Sequence, residues 1–265
     1  MKKALLFLVA VLLVAGGIAY MTGIFKINAG ANAGFCTVDD EIAQQERAAI
    51  DDAAMRFVRI VRSADPAQAY YLMTKEARAA MTPVAFGTSV GQLLRAVSPQ
   101  GDAQVARTYL IRDKGTGLET RTVCGPLDNY RWAAVAIKPG RTQAHVEIAG
   151  HARNNGLAFS LWLLAENDGW HVQYFNIAIS SIAGQTADDL LRRARQERDS
   201  GHSFDAAMLY AGAQSTIDRG RAFQTGKQQE LREDAAKFQL PAELKGNAPF
   251  QWNMGGHIYS VAQVT

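Results

Sequence analysis

Between Arg131 and Ile182 the chain runs through four strand-length segments, about 131–138, 142–153, 157–166 and 170–181. They are separated by Pro139-Gly140, Asn154-Asn155-Gly156 and Asn167-Asp168-Gly169. Short turns containing glycine send a strand straight back along its predecessor, so this spacing predicts a four-stranded antiparallel meander. The second segment alternates, with Ala144, Val146, Ile148 and Gly150 on one side and His145, Glu147, Ala149 and His151 on the other. The third and fourth segments are apolar on both sides, which predicts strands covered on both faces and requires a second layer besides any helices upstream. Before this region, Val105–Arg112 and Leu118–Cys124 flank Asp113-Lys114-Gly115-Thr116-Gly117 and predict a hairpin.

Helical periodicity precedes the strands. Ile50, Ala53, Ala54, Phe57, Val58 and Val61 repeat at helical spacing, and Asp39 and Asp40 place negative charge at the expected helix start. Asp65-Pro66 stops that helix and begins a second, with Asp65 as cap and Pro66 at the first helical position. Thr82-Pro83 repeats the device before a third helix over Val84–Val97. After Gly184, Thr186–Asp199 and Phe204–Ile217 are joined by Ser200-Gly201-His202-Ser203 and predict a helical hairpin. Lys and Arg total nine between 185 and 240, as do Asp and Glu, which gives a mixed-charge solvated surface rather than a basic patch. The tail carries Pro241 and Pro249 and ends in a hairpin-like pattern over Phe250–Thr265.

Location is written at the N-terminus. Met1-Lys2-Lys3 precedes twenty-two residues, Ala4 to Phe25, without a charged side chain. At about 1.5 Å per residue that run reaches about 33 Å as a helix, enough to cross a hydrocarbon core. Lysines at its start would remain cytoplasmic and send the remainder outward. The alternative is a cleaved signal, because Ala31-Asn32-Ala33 offers a small-x-small site before Gly34. Either reading exports the chain and places its folded part on the periplasmic or other extracytoplasmic side of a cell inner membrane. The only two cysteines, Cys36 and Cys124, then pair most simply with each other, the alternative being two free thiols. With 28 Lys plus Arg against 25 Asp plus Glu, the net charge of +3 is too near neutral to make nucleic acid the main partner.

Three helices followed by a long curved antiparallel meander resemble the cone fold of the nuclear transport factor two-like, or ketosteroid isomerase-like, superfamily. The residues carrying the likeness are Ala69-Tyr70-Tyr71-Leu72-Met73, Met81-Thr82-Pro83-Val84-Ala85-Phe86 and Asp168-Gly169-Trp170-His171-Val172, within about 38–182. Gly201, Phe204, Ala207, Tyr210 and Ala213 resemble half of a tetratricopeptide repeat, and one copy implies no superhelical array. One anchor plus an exported cone-fold domain also looks like the periplasmic assembly component of type IV secretion systems, which has a longer cytoplasmic leader than the three residues here. The expected fold class is thus α+β: three N-terminal helices packed on a curved antiparallel sheet, then a helical hairpin, with an N-terminal transmembrane helix. The expected organisation is anchor or signal 1–26, linker 27–37, cone-fold domain 38–183, helical hairpin region 184–240 and a tail 241–265.

Cone folds host isomerases, dehydratases, ligand binders and non-catalytic assembly domains, so the fold alone does not choose among them. In steroid-isomerising members the resemblance implies an Asp base with a Tyr and a protonated Asp as oxyanion donors. No such trio can be placed here: Asp39, Asp40, Asp51, Asp52 and Asp65 read as helix-start or exposed residues. Tyr70, Tyr71, Phe86, Trp162 and Tyr174 are the candidate lining of a ligand site inside the cone. His145, Glu147 and His151 share a strand face, but at about 7 Å between alternate residues they read as a solvated or covered polar face rather than a metal site. No phosphate loop, dinucleotide fingerprint, nucleophile elbow or His-Glu-x-x-His occurs. The expectation is a non-catalytic, membrane-anchored binding or assembly module with a protein partner or a second copy, and with no cofactor or metal. The alternative is a small-molecule binder, or a hydrolase- or isomerase-like enzyme, using the cone interior.

Overall fold

A computed structural model describes residues 36–237 and the backbone of 250–254 and 257–261. The apolar run Ala4–Phe25 lies outside the described residues, and among those described no helix is long and apolar enough to cross a membrane.

Strand β1 (Cys36–Val38) leads through a tight turn into helix α1 (Gln44–Val61). Asp39 and Asp40 do not sit in the first turn of α1, as the sequence suggested. They belong to the preceding 3-10 turn Asp39–Glu41, where Asp39 has φ 49° and its carboxylate accepts a 2.9 Å hydrogen bond from the Thr108 backbone N–H. The charge therefore ties the turn to the sheet. The second predicted helix is a 3-10 helix, Pro66–Leu72, followed by the short α2 (Lys75–Ala79). Pro66 stands at its start as expected, but the Asp65 side chain makes no cap bond. Helix α3 (Pro83–Val97) begins as expected, with the Thr82 hydroxyl accepting from the Ala85 N–H.

The helices pack on a curled antiparallel six-stranded sheet in the order β1-β2-β5-β6-β7-β8. Its strands β2 (Gln100–Arg112), β5 (Thr142–Ala152), β6 (Asn155–Glu166) and β7 (Gly169–Ile182) are long, and β8 is only Gln185–Thr186. Register shifts in β2 between Gln100 and Arg107, and in β7 opposite Trp162/Leu163, insert extra residues that bend the strands and strengthen the twist. At Gly150 a Cβ would stand 3.0 Å from the Phe159 ring, so this strand position is kept bare for an aromatic on its neighbour. The curl gives the concave face room for large rings.

Two sequence expectations fail here. The first segment of the predicted meander, β4 (Ala133–Ile137), does not pair with β5; β2 occupies that edge. Nor do β2 and β3 (Thr120–Cys124) form a hairpin. Instead β3 and β4 pair with each other, and β9 (Phe223–Thr225) adds to β4, making a three-stranded sheet β3-β4-β9. All five residues of β4 are buried, as befits the middle strand of a sheet sealed between neighbours.

The second layer demanded by β6 and β7 is present. The small sheet covers the convex face through Ala136, Trp162, Leu164 and Ala222, and helix α5 (Ser203–Ile217) packs on β7. Helices α4 (Ala187–Asp199) and α5 form the predicted hairpin, joined by α6 (Gly226–Ala236). Asp234 on α6 is buried; Arg195 Nε donates to it at 2.8 Å and the Tyr210 hydroxyl at 2.9 Å. Burial pushes that carboxyl up, yet these bonds outweigh burial and hold it below the usual range. The backbone of β10 (Phe250–Met254) and β11 (His257–Val261) pairs as a separate hairpin. A disulfide joins Cys36 on β1 to Cys124 on β3, clasping the edge of the large sheet to the small one.

Candidate functional site

A ligand inside the curl of the large sheet would lie between that sheet and the helices. Aromatic rings occupy that space. Phe57 meets Phe175 edge-on at 5.1 Å between centroids, and Phe175 meets Phe86 at 5.9 Å. Phe159, Leu161, Leu163 and Val172 fill the sheet side beneath them, each at most 2% exposed. At about 25 cal/mol per Å2 of apolar surface, each such ring contributes about 2–3 kcal/mol by being there. The face is built as a core.

The five residues expected to line a single site fall into two groups. Tyr70, Tyr71 and Phe86 stand together on the helical side. The Tyr70 hydroxyl lies 2.9 Å from the Arg78 carbonyl oxygen and 3.1 Å from that of Met81, so its donor is engaged in closing the α2–α3 turn. Its ring packs against Tyr71 at 5.5 Å and Phe86 at 6.0 Å. Phe86 is buried in the core, whereas Tyr71 is 56% exposed. Trp162 and Tyr174 are register partners on β6 and β7 whose side chains lie on the convex face, among the residues of the small sheet. The sheet separates the two groups.

On that convex face a polar layer is sealed between the two sheets. His145 is buried, stacks on Trp162 with centroids 5.5 Å apart and planes 13° apart, and its Nε2 lies 2.7 Å from the Ala136 carbonyl oxygen. Burial pushes the imidazole pKa down to about 3, so the ring is neutral and Nε2 carries the proton it donates. Trp162 Nε1 donates to Gln143 Oε1 at 3.0 Å, and the Gln143 amide in turn donates to the Lys138 carbonyl at 2.8 Å. The Arg221 guanidinium sits 5.0 Å from the Tyr174 ring centroid. Gly220, at φ 80°, brings its backbone so close that a Cβ would be 2.8 Å from the Tyr174 hydroxyl oxygen. These contacts latch the α5–β9 connection onto the sheet.

The strand face His145, Glu147, His151 thus grades from buried to half-buried to exposed. Glu147 faces Arg219 Nε at 3.4 Å; burial raises its carboxyl pKa and outweighs the attraction of Arg219 and Arg107. Tyr109 is buried beside this pair, and burial raises its hydroxyl pKa as well. Gln143, Arg219 and Arg221 were not legible as members of this layer, since nothing in the Asp218-Arg219-Gly220-Arg221 turn says which strand it will meet. An open surface depression runs along Asp40, Glu41, Ile42 and Arg47, where Arg47 is already paired with Asp40 at 2.6 Å.

Among the described residues, two clusters have the donor types of a metal site: Glu166, Asp168 and His171 at the β6–β7 turn, and Glu197, His202 and Asp205 at the α4–α5 turn. In each, the imidazole already pairs with a carboxylate, His171 with Asp168 at 2.9 Å and His202 with Glu197 at 2.7 Å. Solvent reaches most of Asp168 and of His202. Both read as surface ion pairs that close turns. Comparisons with protein-family models, with curated proteins and with solved structures found no match to the chain.

Proposed function

We propose that this chain is an exported, single-pass binding or assembly module of a bacterial-type envelope, held in the inner membrane by Ala4–Phe25 and presenting a nuclear transport factor two-like cone domain on the periplasmic side. The observation that carries the reading is the filling of the concave face by Phe57, Phe86, Phe159 and Phe175, together with the covering of the convex face by the small sheet and α5. Both surfaces on which a cone domain could do chemistry are used for packing, which leaves the outer helical surface for recognition. The Cys36–Cys124 bridge supports an oxidising compartment. The rival reading, a ligand held by Tyr70, Tyr71, Phe86, Trp162 and Tyr174, has less support, because Trp162 and Tyr174 stand across a sheet from Tyr70, Tyr71 and Phe86.

The test is topology and association measured together on the full chain in membranes. A reporter active only outside the cytoplasm, fused after Thr265, should be active, and amine-reactive cross-linking should move the chain to a larger species. A cytoplasmic reporter signal refutes export. A chain that stays single at every cross-linker concentration refutes assembly.

A further inference from the structure

The segment 218–222 joins α5 to β9 and lies on the convex face of the large sheet. Gly220 comes so close to Tyr174 and Asn176 that a Cβ would stand 2.8 Å from an atom of each. The Arg221 carbonyl accepts from the Arg121 guanidinium, and the Ala222 carbonyl accepts from the Ala136 N–H at 2.9 Å. The remaining tie is Arg219 to Glu147. Glu147 belongs to a row of register partners: Arg107 on β2, Glu147 on β5, Ser160 on β6 and Asn176 on β7. It is the one acid in that row, and its side chain is only 21% exposed. Its partners are poor. Arg219 Nε stands 3.4 Å away, longer than the 2.7–2.9 Å of a charge-assisted bond. The same guanidinium donates to the Thr216 and Asp218 carbonyls at 2.9 and 3.0 Å, and Arg107 faces Asp39 at 3.4 Å. Both arginines keep those partners whether Glu147 is charged or neutral. Ser160, the next residue in the row, is 5% exposed, and its hydroxyl oxygen has no hydrogen-bond partner among the described residues. A carboxylate here is under-served, whereas a carboxylic acid has in that hydroxyl an acceptor for its one proton.

We propose that 218–222 is a proton-coupled strap, which closes over Glu147 as that carboxylate takes up a proton and opens as it returns the proton to water. The charged and titratable groups that face Glu147 are Arg107 and Tyr109 from β2, Asp39 from the 3-10 turn and Arg219 from the strap. Strands β6 and β7 present the uncharged Ser160 and Asn176. Asp218, also on the strap, is exposed and accepts from the Gly220 N–H at 2.9 Å. Burial favours the neutral carboxyl and outweighs both arginines. With the strap open, Glu147 is solvated and ionises above about pH 4.3; with it closed, the proton is held to higher pH. Closure is therefore favoured in acid, and its equilibrium constant falls by up to tenfold per pH unit until the covered carboxyl ionises as well. The strap governs the join between the α4–α6 helices and the sheet, and the inference does not depend on the assembly reading.

Hydrogen exchange of the full chain in detergent measures the opening, read by mass spectrometry on peptides covering 218–222 and corrected for the intrinsic rate at each pH. Between pH 5 and 8, protection of these peptides should fall as pH rises, by up to tenfold per unit, while peptides from β6 keep theirs. Glu147→Gln, which has the shape of the neutral acid, should hold the acid-level protection at every pH. Four results overturn the proposal. Protection of 218–222 can stay flat or rise with pH, which makes the Arg219 ion pair the fastener. The slope can survive in Glu147→Gln, which assigns it to another group. The β6 peptides can share the slope equally, which makes it a property of the whole fold. Or 218–222 can exchange freely in a Glu147→Gln chain whose β6 peptides stay protected, which shows that closure needs the charge.

Discussion

Removing the Cys36–Cys124 bridge is the perturbation whose size follows most directly from the structure. The two cysteines are 88 residues apart in sequence. Closing a loop of that length in the unfolded chain lowers its entropy enough to stabilise the fold by about 4.5 kcal/mol at 25 °C on the chain-entropy account. The loop contains α1, α2, α3 and β2, so most of the helical layer and one long strand gain configurational freedom in the unfolded state when it opens. Cys124 is 1% exposed among Tyr109, Ile111 and Val135, so Cys124→Ala with Cys36→Ala avoids burying a hydroxyl. Reduction of the unmodified chain serves as a control that deletes no atoms. The assay is urea unfolding of the full chain in detergent, oxidised against reduced and against the double variant. The expected result is a loss of about 4–5 kcal/mol, a steeper dependence on urea because the opened chain exposes more surface, and a midpoint about 10–15 °C lower on heating. A loss below about 1 kcal/mol with unchanged steepness would refute the loop-entropy reasoning, since the denatured chain would then already hold these ends together.

Three further predictions concern the packing. Phe86→Ala opens a void between Tyr70 and Phe175 and should cost about 3–5 kcal/mol in the same urea titration, whereas Tyr71→Ala, at an exposed ring, should cost under about 1 kcal/mol. His145 has a folded pKa of about 3 against about 6.5 unfolded, so above about pH 8 both states are neutral and the group adds no pH dependence. Below pH 6.5 the unfolded chain takes up a proton that the folded one refuses, and stability falls by about 2 kcal/mol by pH 5. His145→Gln should flatten that portion of the stability–pH curve, and an unchanged slope would show that the ring is not the group responsible. Gly226→Ala should displace α6 or cost more than about 2 kcal/mol, because a Cβ there would lie 2.5 Å from the Tyr130 carbonyl oxygen; wild-type melting would contradict the close approach.

What the sequence made legible was local. The β5–β6 and β6–β7 hairpins followed from Asn154-Asn155-Gly156 and Asn167-Asp168-Gly169, because a short turn leaves a strand only one neighbour to return to. Helix α3 was announced by Thr82-Pro83, a cap and a first-turn proline whose effect is complete within four residues. The partner of β4 was not legible. Ala-Ala-Val-Ala-Ile is apolar throughout, so it states burial without a face, and the choice between β5 and β3 lies in contacts outside the strand. Strand β9 has three residues, too few to show a period. Helix α6 does carry a sequence signal, because Thr225 and Gln228 form a reciprocal capping box, visible as Thr-x-x-Gln before the helix. The side of the sheet that each ligand candidate takes was not legible for a related reason. Phe86 and Trp162 are both large and buried, and composition does not tell which side of a curled sheet each occupies.

The central claim is that this domain's two sheet faces are structural and that its work is association through its outer surface. Native mass spectrometry of the full chain, released from its own membranes in lipid nanodiscs, measures that directly. The account predicts that the main species weighs at least twice the single chain and dissociates into copies of it, or into it and one other protein. A main species at the single-chain mass, at concentrations well above those in the cell, contradicts it.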